Sequence, residues 1–231
     1  MRAPAKLTVS LRVTGVRPDG YHLIDAEMVT LDLADTLTFS DGDGVEVVGG
    51  AGDVPAGDDN LVSRALRAVG RRAHVRIDKR IPVGGGLGGG SADAAAVLRW
   101  AGCSDLAVAA ALGADVPFCL VGGRARVTGI GEVLEPLPFV ARTFTLLTPP
   151  FGVSTPAVYR AWDELGGPTA DGPNDLEPAA LRVEPRLAEW RGRLGDATGQ
   201  TPVLAGSGST WFVEGAFAGV EGAVVARTVK L

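Results

Sequence analysis

Apolar and polar positions alternate strand-fashion through residues 6–13, break at Arg17-Pro18-Asp19-Gly20, and resume as a strand over residues 21–33, so the chain is expected to open with a hairpin. Residues 36–48, interrupted by Asp41-Gly42-Asp43-Gly44, read as a second hairpin. Asp59 and Asn60 can cap a helix reaching Val69, and residues 74–81 alternate as a strand. A helix is expected from Ser91, and a short one over residues 106–112 stops at Gly113. Residues 114–118 read as a turn into a further apolar strand, with strands also at 122–127 and 144–147.

Beyond the cluster Pro149-Pro150-Phe151-Gly152 the pattern gives a helix over 155–165 and a Gly/Pro-rich loop over 166–173. A helical stretch to Leu194 and a strand at Val203-Leu204 follow. Hairpins mixed with helices favour an α+β class over a doubly wound parallel sheet. The proline cluster divides the chain into two expected domains, residues 1–147 and 148–231, and 231 residues suffice for two small cores.

Between the strand at 74–81 and the helix at Ser91 lie six glycines in seven positions, Gly84 to Gly90 with Leu87 among them. Such a backbone can approach a ligand closely and turn its N–H groups toward it. The helix that follows presents positive partial charge and unpaired donors at its start, so loop and helix together make a phosphate cradle. The match to GxGxxG at Gly84, Gly86 and Gly89 carries little weight in so glycine-rich a run, and the P-loop pattern fails because no lysine precedes Ser91. A flexible linker is disfavoured by the flanking Ile81, Val83 and helix.

A net charge of -5 argues against general affinity for nucleic acid or anionic membrane. Two cysteines, Cys103 and Cys119, form no disulfide framework and lack metal-ligand spacing, and His22 and His74 are too few for a histidine metal site. No signal peptide or membrane span is evident, and the expected location is the cytoplasm. Only Lys6, Lys79 and Lys230 are lysines, which makes each an informative position.

Three segments, Pro4-Ala5-Lys6 with Asp19-Gly20-Tyr21-His22, then IPVGGGLGGGSADAAA, then AGSGST, occur in an order that resembles the GHMP kinase superfamily. Within it, RPDGYH, LGADVPF at 112–118 and NDLE at 174–177 resemble the branch acting on a cytidine-diphosphate-linked methylerythritol. The resemblance implies a two-domain GHMP kinase fold, with a glycine-rich phosphate loop leading into a helix in the cleft and a shortened, ferredoxin-like C-terminal domain. It further implies ATP-dependent phosphorylation of that substrate's 2-hydroxyl, in the non-mevalonate route to isoprenoids, with Mg2+ accompanying the nucleotide and its protein ligand unassigned.

By the same resemblance, the ATP phosphates would rest on Pro82, Val83, Gly84, Gly85, Gly86, Leu87, Gly88, Gly89, Gly90, Ser91 and Ala92. Lys6 and Asp115 match the catalytic pair, the carboxylate as general base and the ammonium as nearby positive charge. Read on its residues alone, Asp115 is better taken as capping the turn before Pro117, and Lys6 suits an edge strand. Tyr21 and Tyr159 would hold the two faces of the cytosine and His22 its edge. Thr8, where the family usually has Asn, and Gly206, Ser207 and Gly208 complete the expected substrate site. Partners are then a small-molecule substrate, with no nucleic acid, no membrane, and a monomer or homodimer. Two other readings stay open: a homoserine- or mevalonate-type kinase, and a non-catalytic nucleotide-binding protein of the same fold.

Overall fold

A computed structural model describes residues 1–50, 57 and 59–231. The larger of its two sheets holds β1 (Arg2–Val16), β2 (His22–Ser40), β3 (Gly44–Gly49), β4 (His74–Lys79), β5 (Arg124–Gly129) and β6 (Val133–Pro136). Their order is β3-β4-β2-β5-β6, with β1 also paired to β2. β1 and β2 form the expected opening hairpin, antiparallel along nearly their whole length and offset by bulges near Ala5, Val9 and Thr14.

The second expected hairpin does not form. The segment of β2 it would need, residues 36–40, is already paired antiparallel to β4, so β3 adds instead to the far side of β4, in parallel.

The smaller sheet contains β7 (Thr143–Leu147), β8 (Val203–Leu204), β9 (Trp211–Glu214) and β10 (Ala223–Arg227), ordered β10-β7-β9-β8 with every neighbour antiparallel. This is the strand order of a ferredoxin-like sheet. Residues 215–222 join β9 to β10 without the helix that such a motif places there. β7 pairs with β9 and β10, so the smaller sheet takes its first strand, Thr143–Leu147, from the last residues of the first expected domain.

Helices α1 (Leu61–Ala68), α2 (Gly89–Trp100), α3 (Leu106–Leu112) and α4 (Val116–Val121) pack with the larger sheet. α2 lies between α1 and α4 and against β1. Its alanines Ala92, Ala94, Ala95 and Ala96 have no exposed surface, so the small side chains let neighbouring elements close in around nearly the whole helix.

α5 (Thr155–Glu164), α6 (Glu177–Val183) and α7 (Leu187–Thr198) cover one face of the smaller sheet, meeting Leu147, Trp211 and Val213. Its other face sends Phe144, Leu146 and Phe212 into the main core. β7 is thus buried on both faces, and the hydroxyl of its one fully buried polar residue, Thr145, donates to Gly215 O at 2.9 Å. Bridges Leu11↔Asn174 and Leu31↔Thr228 tie the first hairpin to the second half of the chain. Among the described residues no helix is long and apolar enough to cross a membrane.

Two local differences from the sequence reading shape the site. α2 begins at Gly89 rather than Ser91, with Gly88 as its left-handed N-cap. Residues 114–118 do not turn into a strand: α4 starts at Val116, and Pro117 occupies its first turn. A proline there gives up an N–H that has no intrahelical acceptor anyway, so it starts a helix rather than breaking one.

Candidate active site

A cleft of about 560 Å3 is walled by β1, the glycine loop, the starts of α2 and α4, α5 and the loop at Gly206-Ser207. The loop itself is fastened on two sides. Lys6 N donates to Leu87 O at 3.0 Å and Thr210 N donates to Gly85 O at 3.1 Å. Leu87, the interruption among the glycines, is 1% exposed and anchors the loop in the main core.

Two of the glycines are demanded by geometry. At Gly86 (φ +76°) a Cβ would lie 2.6 Å from the carbonyl oxygens of both Ala205 and Gly208, and at Gly88 (φ +69°) 2.7 Å from Lys6 Cγ. The loop is thus packed between the 205–208 segment and the stem of Lys6. The N–H groups of Gly89, Gly90 and Ser91 open α2 and have no intrahelical acceptor. They stand at the positive end of the helix, in the wall of the cleft.

Across from them, Lys6 Nζ lies 3.2 Å from Asp115 Oδ2 and donates to Thr8 Oγ1 at 3.1 Å. Lys6 is an inward residue of β1 and its side chain is 7% exposed; Asp115 retains 32%. Asp115 occupies the N-cap position of α4, yet its side chain makes no capping hydrogen bond. The carboxylate turns to the lysine instead, which disposes of the turn-capping alternative. The arrangement supplies an acceptor for a proton at the cleft surface and a fixed positive charge beside it.

Of the other residues expected at the site, Thr8, Pro82 through Ser91, Tyr159, Gly206 and Ser207 line the cleft. Ala92 is buried behind the loop, and Gly208 supports it through the close approach to Gly86. Burial, then the charge of Asp115, pushes the Tyr159 hydroxyl up to about 12, so it stays protonated. Tyr21 and His22 lie outside the cleft walls. Tyr21 is 59% exposed in the turn before β2. His22 is joined to the cleft by its ring contact with Tyr159, centroids 4.6 Å apart.

Sequence reasoning missed a second charged cluster in the same wall. Lys79 Nζ donates to Asp35, and to Asp93 Oδ2 at 2.8 Å, with all three side chains nearly sealed from solvent. Asp35 Oδ1 also accepts from Arg80 N and Ile81 N, at 2.6 and 2.8 Å. Among the described residues Asp93 Oδ1 has no hydrogen-bond partner. Burial raises the Asp93 carboxyl to about 7; the Lys79 ammonium opposes this and the Asp35 carboxylate adds to it. Burial alone would lower the Lys79 ammonium, but the charges of Asp93 and Asp35 outweigh it and hold it above the usual lysine range.

A signal for this cluster was present in β4. Val75, Ile77 and Lys79 share the inward face, and a lysine at an inward strand position requires a buried partner.

Asn174, the first residue of NDLE, is the other residue whose role the sequence did not give. Its Nδ2 donates to Leu204 O at 2.8 Å and Gly206 O at 2.7 Å, while its Oδ1 accepts from Leu176 N at 2.9 Å. It thereby clamps the loop that carries Gly206 and Ser207. Ser207 Oγ in turn meets Thr155 Oγ1 at 2.8 Å. Asp175 holds β1 through Arg12 Nη1 at 2.7 Å and Val13 N at 3.0 Å.

A glycine-rich anion cradle facing a lysine–carboxylate pair, in a cleft between an α/β layer and a ferredoxin-like sheet, defines a small-molecule kinase of the GHMP class. Residues 60–123 match the GHMP kinases N terminal domain. The chain is 42% identical over 246 residues to 4-diphosphocytidyl-2-C-methyl-D-erythritol kinase of Paracoccus denitrificans (strain Pd 1222), covering 97% of this chain and 89% of that one. It is 41% identical over 240 residues to the protein of the same name from Ruegeria pomeroyi (strain ATCC 700808 / DSM 15171 / DSS-3), covering 91% and 86%. A crystal structure of 4-(cytidine 5'-diphospho)-2C-methyl-D-erythritol kinase superposes with a TM-score of 0.78 at 33% identity, covering 98% of both chains. The chain belongs to the 4-diphosphocytidyl-2-C-methyl-D-erythritol kinase family.

Proposed function

We propose that this kinase transfers the γ-phosphoryl group of ATP to the 2-hydroxyl of 4-diphosphocytidyl-2-C-methyl-D-erythritol, with Asp115 as general base. The observation that carries the reading is the Lys6–Asp115 pair, 3.2 Å apart, in one cleft with the glycine loop. The β- and γ-phosphates rest on the N–H groups at the start of α2 and on the loop from Gly84 to Gly90. The substrate hydroxyl lies between the γ-phosphorus and Asp115. Its oxygen bonds to phosphorus as the bond to the β–γ bridging oxygen breaks; the proton passes to Asp115 and ADP leaves.

Lys6 keeps the carboxylate aimed and places positive charge next to the phosphoryl group in flight. Thr8 Oγ1 accepts a hydrogen bond from one Lys6 N–H and so narrows the directions in which the ammonium can point. The cytidine end lies toward Tyr159 and His22, where an aromatic face and a ring nitrogen are available for stacking and hydrogen bonding.

Mg2+ fits the site as a nucleotide-borne ion. Among the described residues no group of three or more His, Cys, Asp or Glu side chains could cage a metal; Ser91, Asp93 and Asp115 are among the oxygen-bearing side chains that line the cleft. When bound, the ion supplies charge neutralisation at the β- and γ-phosphates.

The test is ADP release, measured by a coupled assay with the purified substrate, together with competition by CMP. Turnover that requires the cytidine-linked alcohol and is competitively inhibited by CMP supports the reading. Turnover with homoserine or mevalonate instead, or none at all, overturns it.

A further inference from the structure

His22 opens β2 and is gripped on three sides. Its Nε2 lies 2.8 Å from Asp163 Oδ1, on α5. One face of the ring lies against Tyr159, with centroids 4.6 Å apart and planes tilted by 31°. Its edge meets Trp162 at 5.6 Å and 84°. The three partners, Tyr159, Trp162 and Asp163, come from consecutive turns of one helix, so α5 fixes both the plane of the imidazole and its rotation within that plane.

We infer that Asp163 is a positioning residue that sets the tautomer of His22, and through it the choice of base at the cytidine end of the cleft. The inference rests on the proposed function for the location of the base. A carboxylate only accepts, so the neutral imidazole must place its proton on Nε2. Nδ1 is then left as a lone-pair acceptor on a ring held in its plane by Tyr159 and unable to flip within that plane without losing the Asp163 bond. A base edge that meets Nδ1 must bring a donor. The exocyclic amino group of cytosine is one, whereas the carbonyl that replaces it in uracil sets lone pair against lone pair. A site whose hydrogen-bonding groups are left unmatched discriminates far better than one that relies on shape alone. Because Asp163 is half exposed, the expected discrimination is moderate, on the order of 10- to 100-fold in kcat/KM.

The first test needs no substrate. The chain holds only two histidines, His22 and His74, so long-range 15N–1H correlation spectra of the labelled protein read the His22 tautomer directly. The Nε2–H form is expected, and in D163A a mixture of tautomers. An Nδ1–H form in the unaltered protein, or no change in D163A, overturns the inference.

The second test compares kcat/KM for the cytidine-linked substrate and its uridine-linked analogue. D163A is expected to raise KM for the cytidine substrate about tenfold with kcat retained. D163K, which offers Nε2 a donor and so drives the proton to Nδ1, is expected to shrink the cytidine-over-uridine preference at least tenfold. H22A separates the two claims. If H22A raises the cytidine KM while D163A and D163K leave preference intact, the role of Asp163 fails and the cytidine site stands. If H22A leaves KM unchanged, the location of the base fails first, and the inference with it.

Discussion

Lys6 and Lys79 share one cleft and both end on carboxylates, but their surroundings give them opposite work. Lys6 meets one carboxylate, Asp115, whose side chain remains 32% exposed, and a threonine hydroxyl. Lys79 meets two, Asp35 and Asp93, both sealed, and Asp35 is further saturated by two backbone N–H groups. The first pair is charge-balanced and open on the side of the carboxylate, so a substrate hydroxyl can reach Oδ and leave a proton there. In the second, burial raises the Asp93 carboxyl to about 7, so below that pH a retained proton rather than solvent balances the charge of the two carboxyls against one ammonium. On the proposed function, the reactive carboxylate is the one that water can reach. The sealed cluster instead staples the end of β4 and the 80–81 backbone to α2, beneath the glycine loop that β4 feeds.

The sharpest way to break this contrast is at the open pair. Asp115→Asn keeps the shape and removes the proton acceptor, so kcat is expected to fall by about 10²- to 10⁴-fold while nucleotide affinity and melting temperature hold. Steady-state kinetics together with nucleotide titration measure both. Normal turnover by this variant would remove Asp115 from the chemistry and leave the two lysines without a functional distinction.

At the sealed cluster the effect is expected in stability. Lys79→Met strands two buried carboxylates, and losing one partner from a buried ionic group costs about 3–5 kcal/mol. Lys6→Met should cost much less, because Asp115 can still be hydrated. Urea denaturation of the two variants gives the comparison. Equal losses would mean that exposure of the partner carboxylate does not govern the energetics of these pairs.

These roles were unequally legible in the sequence. The glycine run, Lys6 and Asp115 stood out because a motif carried them. The side chain of Asp115 was readable as a cap, and only its turn toward Lys6 separates the two uses. Pro117 misled: read as a breaker, it hid α4, the helix that presents Asp115. Residues 41–44 misled in the same way, since a hairpin turn and a crossover to the next strand use the same Asp/Gly chemistry, and the difference lies in which edge of β2 is already taken. Lys79 was readable from the period-two pattern of β4, but its partners Asp35 and Asp93 lie 44 and 14 residues away, and nothing local pairs them. Asn174 was visible as part of a motif, yet its clamp on the 204–206 backbone exists only once the chain has folded.

The last expected effect is a slope rather than an offset, and it isolates Asp93. Its carboxyl is raised to about 7 in the folded protein, against about 3.9 in an unfolded chain. Between these values the folded state holds a proton that the unfolded state has released, so the contribution of Asp93 to stability is complete below about pH 4. It is lost as pH rises toward 7. The slope is at most that of one proton, about 1.4 kcal/mol per pH unit. Carboxylates held low by arginines, such as Asp25 with Arg126 and Glu214 with Arg142, slope the other way. The difference between the parent and Asp93→Asn is therefore the quantity to measure, by urea denaturation from pH 4.5 to 8. Relative to the parent, the variant should gain stability steadily as pH rises to about 7 and then level off. A difference independent of pH would show that Asp93 is ionised throughout. The cluster would then hold two full negative charges against one ammonium, and the distinction from the Lys6 pair would rest on burial alone.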